Sequence, residues 1–178
     1  MFKRLSKQKP VQKNYSKIHV GCGPKNILEG WCYVDIKMFP GIDEILDVTK
    51  SWPWSDVDYV YGEHFLEHLS LEGAITFLES AGNSLRTGGK IRLSTPSLEW
   101  VMTPHFTFQD SDAQSFNETL KTNRAFYGWG HQFLYTKTML LQLLKSMGYS
   151  DIHFCDYGQS SDPNLQDLER HGGYSISN

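Results

Sequence analysis

Two glycines two apart, Gly21 and Gly23, follow the apolar run "KIHV", and acidic residues close two later runs, Asp35 in "CYVDI" and Asp47 in "EILDV". Glycine lets a backbone approach a ligand closely, and a carboxylate at the end of a second strand can accept both hydroxyls of a ribose. An acid after the third run could reach an adenine amine. A fourth run, "VDYVYG", leads into Glu63 and His64, and His131 lies far downstream in "YGWGHQFLY". Imidazole is the side chain whose ordinary pKa suits proton removal near neutrality, so His64 and His131 are the candidate general bases. Taken singly, each feature also has a structural reading: a turn, a helix cap or a satisfied histidine. Their order along the chain is the stronger signal.

A rival chemistry sits in "EHFLEHL", where His64, Glu67 and His68 match the H-x-x-E-H motif of inverted zinc proteases. That motif belongs inside a long helix and needs a third ligand on a later one, whereas here it directly follows a glycine-ended strand. Glu67 and His68 therefore read as groups that fix a loop, and no metal is expected.

The elements that must position these residues form an alternating series. Strands are predicted at 17–20, 32–36, 44–48 and 57–62. A helix capped by Ser70 carries Leu71, Ala74, Ile75, Leu78 and Leu85 at helical spacing and stops at Gly88 and Gly89. A fifth strand is predicted at 90–96. Thr136 caps a second helix with Met139, Leu140, Leu143, Leu144 and Met147 on one face, and 151–158 reads as a sixth strand. Such alternation implies a three-layer, mostly parallel α/β sheet. Ligands of these sheets bind at the carboxyl ends of the strands, which is where Gly21, Cys22, Gly23, Asp35, Asp47, Glu63, His64, Thr95 and Pro96 fall.

The chain has 178 residues, 39% apolar and 13% aromatic, which suits one domain with a sizeable core. Its three cysteines form no CxxC pair, no run has membrane-spanning length, and the N-terminus lacks a signal-peptide core, so a soluble cytoplasmic protein is expected. Six of the 17 basic residues (Lys3, Arg4, Lys7, Lys9, Lys13 and Lys17) cluster at the N-terminus with no acidic residue among them; without them 11 face 20 acids, a balance of −9. That argues against broad nucleic-acid binding, and residues 1–16 read as a basic, flexible arm. Residues 103–135 are too long for an ordinary connection and suggest a lid or acceptor wall. Phe106, Phe108, Phe126, Tyr127, Trp129, Asn123 and Arg124 would suit a sugar or phenol, with core packing as the alternative use of the aromatics.

With these motifs in place, residues 17 to about 171 resemble a class I S-adenosylmethionine-dependent methyltransferase of the group related to the type 11 domain. "HVGCG" resembles the first motif, "GWCYVDI" the ribose-binding acid, "DVTKSWPWSDVDYVYGEHFLEHL" the acid, turn, strand and H-x-x-E-H series, and "SLRTGGKIRLSTPSL" the entry to the fifth strand. "GHQFLYTKTMLLQLLKSMGYSDI" is similar to the later helix and sixth strand. The resemblance implies a Rossmann-like fold, S-adenosylmethionine as cofactor, and a small-molecule or glycan acceptor. It implies that Gly21 and Gly23 face the methionine moiety, Asp35 the ribose, and Asp47 with the Val48 amide the adenine, with Cys22, Ile36 and Glu63 also in the donor set. Three features depart from the pattern: Lys25 replaces the third glycine, the helix in "PKNILEG" has shrunk to a turn or two, and "GGYSISN" is short for the antiparallel seventh strand, expected to be missing or truncated. Two other readings remain: a non-catalytic protein that binds S-adenosylmethionine or its demethylated product, and a nicotinamide oxidoreductase, disfavoured because Asn26 occupies the last glycine of G-x-G-x-x-G.

Overall fold

The computed structural model describes residues 13–24, 28–102, 112–170 and 175–177. Most of the basic arm, the departures at Lys25 and Asn26, and Phe106 and Phe108 lie outside them. Six strands form one sheet: β1 (Lys17–Val20), β2 (Cys32–Asp35), β3 (Glu44–Ile45), β4 (Val57–Glu63), β5 (Leu85–Pro96) and β6 (Ser175–Ser177), in the order β3-β2-β1-β4-β5-β6. The first five are parallel, and β6 runs antiparallel to β5. Between them lie α1 (Leu71–Ser84), α2 (Leu98–Met102), α3 (Asp112–Tyr127) and α4 (Lys137–Ser146), with 3-10 turns at Leu66–His68 and Gly128–Gly130. The mixed α/β, mostly parallel fold expected from the sequence is the one observed. No helix among the described residues is long and apolar enough to cross a membrane.

The helix starts follow their caps. Ser70 Oγ accepts the Gly73 N–H at 3.1 Å and Thr136 Oγ1 accepts the Met139 N–H at 3.1 Å, each satisfying a donor that the first helical turn leaves open.

Two expectations need correction. Residues 151–158 form no strand but an irregular segment with a single bridge residue at Cys155. Asp151 has a φ of +57°, which turns the chain out of an extended path, and the place beside the end of β5 is taken by β6. Conversely, the short "GGYSISN" end does supply an antiparallel strand, three residues long. β3 also stops earlier than predicted, at Ile45, just before Asp47 folds onto Thr49.

The sheet has two unlike faces because side chains alternate along each strand. Ile18, Val20, Cys32, Val34, Val60 and Leu93 share one buried cluster with Phe77, Leu78 and Ala81 of α1 and Leu140 and Leu144 of α4. Their sequence neighbours point the other way. Tyr33, Tyr59 and Tyr61 pack there with Cys22, Trp31, Leu165 and Leu168, and His19 stacks between Tyr33 and Tyr61. No helix of the described residues contributes to this second cluster; irregular chain does.

Candidate functional site

The carboxyl ends of β1, β2 and β4 open onto a cleft of about 620 Å³. Its floor begins at Gly21, whose φ of +59° is left-handed and whose N–H donates to Val34 O at 2.9 Å. A Cβ at Gly21 would collide with the Phe65 ring, so only glycine fits. Gly23 also has a φ of +59° but faces open space, and its N–H donates to Asp35 Oδ2 at 3.1 Å. The loop after β1 is thereby fastened to the acid after β2. Asp35 Oδ1 accepts the Lys37 N–H at 2.9 Å, and each carboxylate oxygen retains acceptor capacity after these bonds.

Asp47 is held by Thr49, whose N–H and hydroxyl both donate to Oδ1, at 3.0 and 2.6 Å. These bonds favour the ionised form and lower its pKa below the ordinary carboxylate value. Ile36 and Val48 line the same cleft, as does His64. His64 has a φ of +46°, and its N–H donates to Ser94 O at 2.9 Å. Its Nδ1 lies 3.1 Å from Oε1 of the fully buried Glu67, whose Oε2 accepts the Thr95 hydroxyl at 3.1 Å. Burial alone would pull the His64 pKa down, but the Glu67 hydrogen bond and charge, with Glu63 behind, outweigh it and raise the pKa.

Cys22, Glu63 and His131, like the strand-end residues Thr95 and Pro96, are not on the cleft wall. The Cys22 thiol is buried in the second cluster and directed at Val34 O, 3.7 Å away; burial first, and then the Asp35 charge, push it up to about 11. Glu63 follows Tyr59 and Tyr61 in strand parity onto the opposite face, where it accepts the Arg170 N–H at 2.6 Å and Nε–H at 3.0 Å. His131 sits behind His68, with ring centroids 5.2 Å apart, and its Nδ1 is 2.8 Å from Ala125 O. Sequence reasoning missed Phe65, Thr49 and Gln132, which line the cleft. Phe65 and Thr49 adjoin recognised motif residues, whereas Gln132 arrives through a tertiary bond, its N–H donating to Glu67 O at 2.7 Å. A second cleft of about 890 Å³ runs between β5 and residues 149–165, and none of the predicted site residues lines it.

No protein-family model and no curated protein sequence matches the chain. Solved structures do match. A SAM dependent methyltransferase from Archaeoglobus fulgidus is 16% identical with a TM-score of 0.59, over 92% of this chain and 84% of that one. The fold is a Rossmann-like methyltransferase fold. The same architecture recurs in the small RNA methyltransferase HEN1, 18% identical with a TM-score of 0.53, over 92% of this chain and 22% of that one. It recurs again in the CMeT domain of the citrinin polyketide synthase, 9% identical with a TM-score of 0.53, over 93% of this chain and 45% of the other. Within this methyltransferase fold, the cleft lies where the strand order reverses between β1 and β4, the usual ligand position in such sheets.

Proposed function

We propose that the protein is an S-adenosylmethionine-dependent methyltransferase acting on a small-molecule or glycan acceptor. One observation carries the reading: Gly21, Gly23, Asp35, Asp47 and His64, which come from four different strand ends, line a single cleft. The residues fit the donor. Gly23 leaves open space for a ligand, Asp35 keeps acceptor capacity for ribose hydroxyls, and Asp47 with the Val48 amide stands further along for the adenine. Bound there, S-adenosylmethionine supplies an electrophilic methyl group on a sulfonium.

The chain's own contribution is alignment and a proton acceptor. Holding donor and acceptor in line is worth up to ~7 to 11 kcal/mol in favourable cases. Glu67 orients the His64 ring through Nδ1 and strengthens it as a base, so His64 would take the acceptor's proton. The segment around α3 and Trp129, close to the cleft residue Gln132 in sequence, would wall the acceptor side.

The test is calorimetric titration with S-adenosylhomocysteine. Asp35→Ala should weaken binding by roughly 1.5 to 3 kcal/mol, the range for losing hydrogen bonds to a charged group, in a protein that remains folded. Unchanged affinity removes Asp35 from the site. His64→Ala should spare donor binding and lower methyl transfer by about a hundredfold or more, once a panel of sugars, phenols and small acids has revealed an acceptor. Tight donor binding with no transfer to any acceptor would favour the non-catalytic binding protein.

A further inference from the structure

The H-x-x-E-H stretch has work left over after methyl transfer is assigned, because Glu67 and His68 meet His131 rather than pairing as in a protease helix. One ligand atom from each of Glu67, His68 and His131 lies within 4.8 Å of the others. We propose that these three side chains bind one divalent transition-metal ion, zinc foremost.

The imidazoles are already set for it. His68 Nδ1 is 3.3 Å from Gly130 O and His131 Nδ1 is 2.8 Å from Ala125 O. A carbonyl oxygen can only accept, so Nδ1 carries the hydrogen in both rings and Nε2 carries the lone pair. Metal-bound histidines are held in this way, with the other ring N–H donated to a carbonyl or carboxylate that fixes tautomer and orientation. The two segments are pinned together: Glu67 O accepts the Gln132 and Phe133 N–H groups at 2.7 and 3.2 Å, and His68 O accepts Gln132 Nε2 at 2.6 Å. The ligands therefore need little rearrangement to converge.

Glu67 is fully buried, with Oε1 on the His64 imidazole and Oε2 on the Thr95 hydroxyl, and each carboxylate oxygen keeps a lone pair that an ion can share. Two nitrogens and one carboxylate oxygen suit zinc or cobalt better than calcium or magnesium, which prefer oxygen alone. Three protein ligands would leave a fourth position open, and one of the three, His68, also lines the cleft. Water or an acceptor oxygen could occupy it, and bound water can reach a pKa of about 7. His64 is not one of the three side chains whose ligand atoms converge, and its Nδ1 engages Glu67 instead.

His68 lines the donor cleft and Glu67 also holds His64, but zinc binding needs neither donor nor acceptor, so its test reads metal alone. Chelator-stripped protein is titrated with Zn²⁺ in competition with a chromophoric chelator, and with Co²⁺ by visible absorption. One ion per chain is expected. His68→Ala and His131→Ala should each lower Zn²⁺ affinity by more than the roughly 10- to 100-fold that losing a ligand's supporting partner costs. His153→Ala, at an exposed histidine, should leave it unchanged. Circular dichroism of the stripped variants checks folding, and His131→Gln replaces His131→Ala if the latter fails to fold. Absence of stoichiometric Zn²⁺ binding overturns the proposal. So does affinity that survives in the His131 variant but is lost in His64→Ala and His68→Ala, which would make the site the protease-like pair.

Discussion

The two faces of the sheet solve burial in opposite ways. Toward α1 and α4 the strands present Ile18, Val20, Val34, Val60 and Leu93, aliphatic side chains that need only close packing. One residue along each strand, the other face presents His19, Tyr33, Tyr61, Glu63 and Arg92, all buried. These are closed over by residues 157–170, which bring partners as well as bulk. Glu169 Oε1 takes Arg92 Nε at 2.6 Å and lies 2.5 Å from Nη2, Gln159 O accepts Nη1 at 2.9 Å, and Arg170 binds Glu63. Helices can cover an apolar face because they satisfy their own backbone; irregular chain must be held by specific polar contacts. The apolar face is therefore tolerant of solution conditions, while the polar face depends on charge being matched.

Glu169 is the most deeply committed partner on the polar face. Arg92 and Glu169 have almost no exposure, so Glu169→Leu strands a buried guanidinium and should cost about 3 to 5 kcal/mol in urea unfolding. Arg92→Met combined with Glu169→Leu should regain most of it, since a well-packed apolar pair often replaces a buried ion pair without loss. A single variant costing under ~1 kcal/mol would show that charge matching does not close this face.

His19 tests the same face with acid. Both of its ring nitrogens are buried without a hydrogen-bond partner among the described residues. Burial first, and then the Arg170 charge, lower its pKa from the ordinary 6.5 to about 3. The unfolded chain takes up a proton below the ordinary value while the folded one refuses it. The His19 contribution is therefore intact above that pH and falls by about 1.4 kcal/mol per unit as the pH drops toward the folded pKa. His19→Phe should remove this slope from stability measured between pH 6.5 and 4. Parallel pH curves for the two proteins would mean that His19 is already compensated.

Much of this was legible before the structure, where the physics is local. β1, β2 and β4 fall within a residue of their predicted spans, and Ser70 and Thr136 cap as read. Strand ends in parallel order suffice to bring Gly21, Asp35, Asp47 and His64 to one cleft. Glu63 was misplaced although its parity with Tyr59 and Tyr61 was visible: a one-residue step along a strand reverses the face. Nothing local marks His131 as the neighbour of His68, which depends on the Gln132 bond to Glu67. Residues 151–158 have strand-like composition, yet the strand position at the end of β5 goes to 175–177, a tertiary outcome that overrides propensity.

Lys90 and Arg92 share a strand and a face of the sheet but differ in burial. Lys90 precedes Arg92 by two residues on β5 and so points to the same side. Its Nζ binds Asp162 Oδ2 at 2.7 Å, but the lysine side chain is half exposed whereas Arg92 is buried. Asp162 does not rely on it alone, since the Tyr59 hydroxyl also donates to Oδ2, at 3.1 Å, and the Asn164 N–H to Oδ1, at 3.0 Å. Water and salt screen such a rim pair, so Lys90→Met should cost between about 0 and 1 kcal/mol, and the difference should shrink as ionic strength rises. Urea unfolding at low and high salt measures both. If Lys90→Met matched Glu169→Leu in cost, the whole residue 157–170 cover would act as one charge network reaching the surface, and burial would no longer separate the strong pairs from the weak.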